Sequence, residues 1–133
     1  AVLDADGDGD ADAALLNGGN HSVEFVLSAG FVATAGPIVP LANGTLFELA
    51  LVDFDQDGDQ DLVTCRSLAS ATSIQLLQQQ PGGVWQALAP QAMPNAASGN
   101  LFANDWDGDG DQDLLLRGFT GTSGILPPHT LAW

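Results

Sequence analysis

Three stretches of nine residues constrain this chain more than anything else in it. "DADGDGDAD" at 4–12, "DFDQDGDQD" at 53–61 and "DWDGDGDQD" at 105–113 each place Asp at positions 1, 3, 5, 7 and 9, with Gly at position 6. All 15 Asp of the chain lie in these stretches, and the remaining charged residues, Glu24, Glu48, Arg66 and Arg117, cancel. The net charge of −15 therefore belongs to three short segments of an otherwise apolar, Gly-rich chain. Carboxylates this dense repel one another, and no Lys or Arg lies within any of the three. Acidity spread along a chain suggests disorder or salt tolerance, whereas acidity confined to three loops suggests three cation sites. With no Lys and no basic patch, nucleic acid is excluded as a partner.

The first Asp of each stretch falls at 4, 53 and 105, spacings of 49 and 52 residues that point to repeated units such as propeller blades. A short strand leads into each loop ("AVL", "ELALV", "NLFAN") and an apolar run leads out ("AALLN", "LVTCR", "LLLRG"). Strand, tight loop and strand make a hairpin. The outgoing runs are apolar on successive residues, as in strands covered on both faces. A second hairpin follows twice: "SVEFVL" turns at "SAG" into "FVATAG", and "SIQLLQQQ" turns at "PGG" into "VWQAL". No segment has sustained helical periodicity with caps. The pattern predicts an all-β chain of β-propeller-type blades with four antiparallel strands each. One unit over 1–133 would hold repeats 1–48, 49–99 and 100–133, the last truncated at "HTLAW", so that the ring is incomplete in this chain.

At 133 residues the length suits one domain with a core of its own. No apolar run approaches the roughly 20 residues of a membrane span, and nothing resembles a signal peptide. Cys65 is the single cysteine and reads as a small buried hydrophobe within "LVTC". The first residue is Ala, so a processed chain or a fragment is expected.

The loop spacing has a chemical reading. Calcium takes six to eight oxygen ligands, and a tightly wound loop aims alternate side chains at one ion. Gly9, Gly58 and Gly110 at position 6 permit the sharp turn. Position 7 in loops of this type gives its backbone carbonyl, which frees the side chains of Asp10, Asp59 and Asp111 to point outward. A ligand set without His or Cys argues against zinc and copper, and the carboxylate count favours calcium over magnesium. An EF-hand needs Glu at position 12 and flanking helices. Leu15, Thr64 and Leu116 stand there instead, between strands.

"LVDFDQDGDQDLV" and "DWDGDGDQDLLL" resemble the calcium loops of FG-GAP and VCBS-type repeats, the blades of integrin-α-like propellers, and the VCBS-like branch fits better. The resemblance implies three calcium ions. The first would be held by Asp4, Asp6, Asp8, the carbonyl of Asp10, and Asp12. The second would use Asp53, Asp55, Asp57, the carbonyl of Asp59, and Asp61. The third would use Asp105, Asp107, Asp109, the carbonyl of Asp111, and Asp113. Three divalent ions would bring the net charge from −15 to about −9. The competing reading of each loop is a solvated acidic turn that binds nothing; if ions bind, a structural role is favoured over a catalytic one.

Weaker signals remain. His21 and His129 have no nucleophile motif beside them and read as solvated surface histidines. Trp85, Trp106 and Trp133 suit packing between blades, with a sugar-stacking platform as the alternative. Asn20 in "NHS" and Asn43 in "NGT" are glycosylation sequons in predicted turns. These features describe a non-enzymatic, calcium-binding extracellular or cell-surface module with a structural, adhesive or assembly role. A carbohydrate-binding propeller, or an accessory domain of a polysaccharide-degrading enzyme, is the alternative. Other copies of the chain, or the rest of a longer polypeptide, would complete the ring; a glycan or protein ligand is a further expected partner.

Overall fold

The computed structural model describes residues 1–68, 71–93, 99–110 and 112–118. Every regular element among them is a β-strand, in three antiparallel sheets. The first sheet runs β1 (Val2–Leu3), β2 (Asp12–Asn17), β3 (Ser22–Ala29) and β4 (Val32–Pro40), each strand beside the next. The second repeats that order with β5 (Thr45–Val52), β6 (Asp61–Leu68), β7 (Ala71–Gln80) and β8 (Val84–Ala87). The edge strand is interrupted after Ala87 and resumes past Pro90 as β9 (Gln91–Met93), again on β7. Proline has no N–H to give a ladder, so a break at an edge is where it is tolerated. The third sheet has two strands, β10 (Gly99–Asn104) and β11 (Asp113–Gly118).

Two successive four-stranded antiparallel meanders have the propeller-blade form predicted from sequence. The lead-in strand of the second sheet is longer than "ELALV", and β9 lies beyond the fourth strand expected there. "HTLAW", with His129 and Trp133, lies outside the described residues. No helix among the described residues is long and apolar enough to cross a membrane, which says nothing of a β-barrel.

Why the apolar runs do not alternate is clear from the second sheet. Leu62 and Leu77 face each other across β6 and β7 and join a core with Leu3, Val23 and Phe25 of the first sheet. One residue along, Val63 pairs with Leu76 and Cys65 with Ile74, and these pack with Leu101 and Leu114 of the third sheet. A strand with both faces covered must be apolar on successive residues, and fully burying a Leu or Ile contributes about 1.5–3 kcal/mol. Cys65 is buried there, as expected. Trp85 stacks on Phe25 with ring centroids 4.7 Å apart and donates its indole N–H to the Ala5 carbonyl at 3.0 Å. Packing between sheets is therefore its role.

Polar links add to this stacking. The Glu48 carboxylate on β5 accepts from the Leu101 N–H at 2.9 Å and the Asn100 amide at 3.1 Å, which ties the second sheet to the third. Gln79 on β7 donates to the Asp4 carbonyl at 3.1 Å, which ties the second sheet to the first acidic loop. Gly83 in the β7–β8 turn lies so close to that loop that a Cβ would stand 3.0 Å from the Asp6 Cα, and its φ of 72° favours glycine as well.

Candidate metal centre

The three acidic stretches are the hairpin loops β1–β2, β5–β6 and β10–β11. They share one backbone. Position 6 is left-handed throughout, with φ of 89° at Gly9, 95° at Gly58 and 98° at Gly110. Position 4 is left-handed too: 81° at Gly7, 59° at Gln56 and 79° at Gly108. The sequence shows the first requirement but hides the second, because Gln56 interrupts the glycine pattern. A side chain in that region is strained.

Each loop gathers carboxylate oxygens. One oxygen from each of Asp4, Asp6 and Asp8 lies within 4.8 Å of the others, and the same holds for Asp53, Asp55 and Asp57. In the third loop the trio is Asp105, Asp107 and Asp113. Oxygens bound to one calcium at about 2.4 Å can stand at most about 4.8 Å apart. The clusters thus have room for one hard cation apiece. One further atom is consistent with this: Asp53 Oδ1 is buried with no hydrogen-bond partner.

The loops also cap themselves. Asp4 accepts from the Gly7 N–H at 2.8 Å, the Asp8 N–H at 3.1 Å and the Gly9 N–H at 2.9 Å. Asp105 repeats the pattern with Gly108 at 2.7 Å and Gly110 at 3.1 Å. Position 5 caps position 7 in the first two loops: Asp10 N–H to Asp8 at 2.8 Å, and Asp59 N–H to Asp57 at 2.9 Å.

Position 9 has a role the sequence did not show. Asp12 Oδ2 accepts from the Ala5 N–H at 2.8 Å, and Asp61 Oδ2 from the Phe54 N–H at 3.1 Å. Their Oδ1 atoms accept from the third strand, at Ser28 N–H (2.6 Å) and Gln79 N–H (2.8 Å). Both carboxylates are buried and pin the loop to its own sheet. Neither belongs to the trio of its loop, whereas the half-buried Asp113 accepts from the Trp106 N–H at 3.2 Å and joins the third trio. Predicted ligands of one kind thus occupy two kinds of place.

Asp10 and Asp59 at position 7 stand outside the trios, and Asp10 accepts from the Gly30 N–H at 2.7 Å in the β3–β4 turn. Asp109 is also outside its trio, although its N–H reaches Asp107 at 3.1 Å. Asp111 lies outside the described residues.

Crowding moves the acid strengths. Burial pushes the Asp61 carboxyl up to about 6 against the N–H groups of Gln79 and Phe54, and Asp55 and Asp57 push it further in the same direction. Asp6 is raised by loss of water and by Asp8, Asp12 and Asp4, with the Asp8 N–H opposing. At Asp107 the Asp109 N–H lowers the value most, yet loss of water and the carboxylates of Asp109, Asp113 and Asp105 leave it raised.

His21 departs from the solvated histidine expected: it is half-buried in the β2–β3 turn at φ 50°, its Nδ1 is buried without a partner, and its carbonyl accepts from Leu41 N–H at 2.7 Å. Asn20 and Asn43 are exposed, in a turn and a bend as predicted.

Neither a curated protein nor a solved structure matches the chain. The family model described as an FG-GAP-like repeat matches residues 53–116, from the second acidic loop through its sheet to the third loop and into β11. That stretch of the chain is similar to an FG-GAP-like repeat.

Proposed function

We propose that the chain is a calcium-stabilised, propeller-type module of an extracellular protein, acting through binding or assembly rather than catalysis. The observation that carries the reading is the convergence of three Asp oxygens in each of three loops built on one backbone. No Lys or Arg lies in those loops, so a cation from solution is the counter-charge they would take. Bound calcium would supply that charge and hold the clustered carboxylates of each loop together. Asp4, Asp6 and Asp8 would hold one ion, Asp53, Asp55 and Asp57 a second, and Asp105, Asp107 and Asp113 a third. FG-GAP-like repeats are typical of extracellular proteins and are generally non-catalytic. Extracellular calcium is abundant enough to fill carboxylate-rich loop sites. The exposed sequons Asn20 and Asn43 agree with that location. The sugar-binding alternative loses support at Trp85, whose ring is taken up against Phe25. Thermal melting after exhaustive chelation tests the proposal. A large fall in melting temperature, reversed by calcium and poorly by magnesium, is expected; an unchanged melt would reject it.

A further inference from the structure

Asn is followed by Gly twice in the chain, at Asn17–Gly18 and at Asn43–Gly44, and the fold treats the two steps differently. Such a step is chemically labile, because no Cβ on the second residue hinders attack by its amide nitrogen on the Asn side-chain carbon. The new C–N bond closes a succinimide, and the Asn side-chain nitrogen leaves as ammonia, carrying the proton of the Gly N–H. Water then opens the ring at either carbonyl. Opening at the side-chain carbon gives aspartate. Opening at the main-chain carbon gives isoaspartate, in which the chain continues through the side chain and the former main-chain carbonyl becomes a free carboxylate.

Asn17 is held away from this chemistry. It ends β2, paired with Ser22. Its side-chain oxygen accepts from the Gly19 N–H at 3.0 Å and the Asn20 N–H at 3.2 Å, and its side-chain nitrogen donates to Glu24 at 2.7 Å. Both ends of the amide are fixed, and the leaving nitrogen is one of them. Asn43 is exposed, in the bend that joins β4 to β5. At Gly44 the φ of 146° and the Ser67 carbonyl, 3.1 Å from where a Cβ would stand, both favour the glycine that leaves Asn43 reactive.

The Asn43 carbonyl also accepts from the guanidinium of the buried Arg66, whose Nε donates to the Ser73 hydroxyl at 2.7 Å. Both of these acceptors are neutral. A guanidinium on that carbonyl oxygen draws electrons from the Asn43–Gly44 peptide and makes the Gly44 N–H, the incipient nucleophile, more acidic. In isoaspartate the same oxygen belongs to a carboxylate, a stronger partner for Arg66 than the carbonyl it replaces.

We propose that Asn43 is a self-modification site, converted in the folded protein through a succinimide to isoaspartate, whose new carboxylate pairs with Arg66. The step needs only water and erases the Asn43 sequon. It does not depend on the calcium reading.

Peptide mapping of the full chain, made without glycosylation and aged folded with calcium at mildly alkaline pH, tests this. Asn43 should deamidate at least about tenfold faster than Asn17, whose hydrogen bonds must break first. In urea the two should react at similar rates, because both are followed by glycine. Asn43→Gln should abolish the modification at 43, since a Gln side chain closes the corresponding larger ring far more slowly. Chromatographic separation of the products should give a higher ratio of isoaspartate to aspartate at 43 in the folded chain than in urea. An intact Asn43, or equal rates at 17 and 43 in the folded chain, would overturn the proposal. A product ratio that folding leaves unchanged would overturn the pairing with Arg66.

Discussion

The first and second acidic loops carry the same five aspartates and the same turn, yet they hold those charges differently. In the first, Asp4 is capped by three loop N–H groups, and glycine occupies both left-handed positions. The Asp4 and Ala5 carbonyls are also fixed from outside by Gln79 and Trp85 of the next sheet. In the second, Asp53 Oδ1 is buried without a partner and Gln56 is forced to φ 59°. Its external supports are side-chain amides: Gln112 accepts from Asp53 N–H at 3.1 Å, and Gln78 donates to Asp55 at 2.5 Å. One motif can thus be braced from the next sheet by a backbone-directed amide and indole, or by glutamine amides on its own loop residues.

The largest effect should come from position 9, where the two loops agree and the third differs. Asp61→Ala leaves the Phe54 and Gln79 N–H groups without their acceptor, at about 1–3 kcal/mol for each buried group. Asp12→Ala should cost as much, and Asp113→Ala less, since its half-buried carboxylate accepts from Trp106 alone among the contacts seen. Urea unfolding of the calcium-free proteins measures this; equal losses at Asp61 and Asp113 would undo the distinction.

Next comes calcium affinity within one loop. Asp57→Ala removes a member of the trio and the cap on Asp59, and should weaken that site at least tenfold, about 1.4 kcal/mol. Asp59→Ala should be milder, because its side chain stands outside the trio. Asp10→Ala should cost somewhat more stability than Asp59→Ala through loss of the Gly30 contact. Equal affinity losses for Asp57→Ala and Asp59→Ala by calorimetry would contradict the assigned geometry.

The response to pH has a definite sign. Between the ordinary 3.8 and the raised value of about 6, folded Asp61 keeps a proton that the unfolded chain has released. The calcium-free protein should therefore lose stability as pH rises through that window, and the raised Asp6 and Asp107 act in the same direction. Calcium requires the ionised loop, so the loaded protein should gain stability over the same range. Melting curves at several pH values, with and without calcium, would show the two trends diverging; parallel trends would contradict the account.

The smallest effect should come from Gln56→Gly, which removes left-handed strain and makes the second loop resemble the first. About 0.5–1 kcal/mol of stabilisation is expected. Gly7→Ala should lose a similar amount. Urea midpoints would resolve both, and a destabilised Gln56→Gly would show that the side chain matters more than its backbone.

Much of this was legible in the sequence because charge and period are local signals. The loops, the hairpins and the doubly covered second sheet follow from Asp spacing and from runs such as Leu62–Val63. Other features were not legible, for physical reasons. Gln56 sits where its neighbours have Gly, so position 4 shows no pattern. Asp12 and Asp61 are the same residue type as the ligands, and only burial separates a staple from a ligand. Gln75, buried between the Ala42 N–H and the Leu88 carbonyl, is a polar residue in a core row. No periodicity argument would place it there.

Calcium titration by calorimetry on the chelated, refolded chain tests the central claim most directly. The account predicts three ions per chain, with one of the three sites weakened at least tenfold in Asp57→Ala and the other two unchanged. No binding heat at extracellular calcium concentrations, or three sites whose affinities Asp57→Ala leaves at their wild-type values, would contradict it.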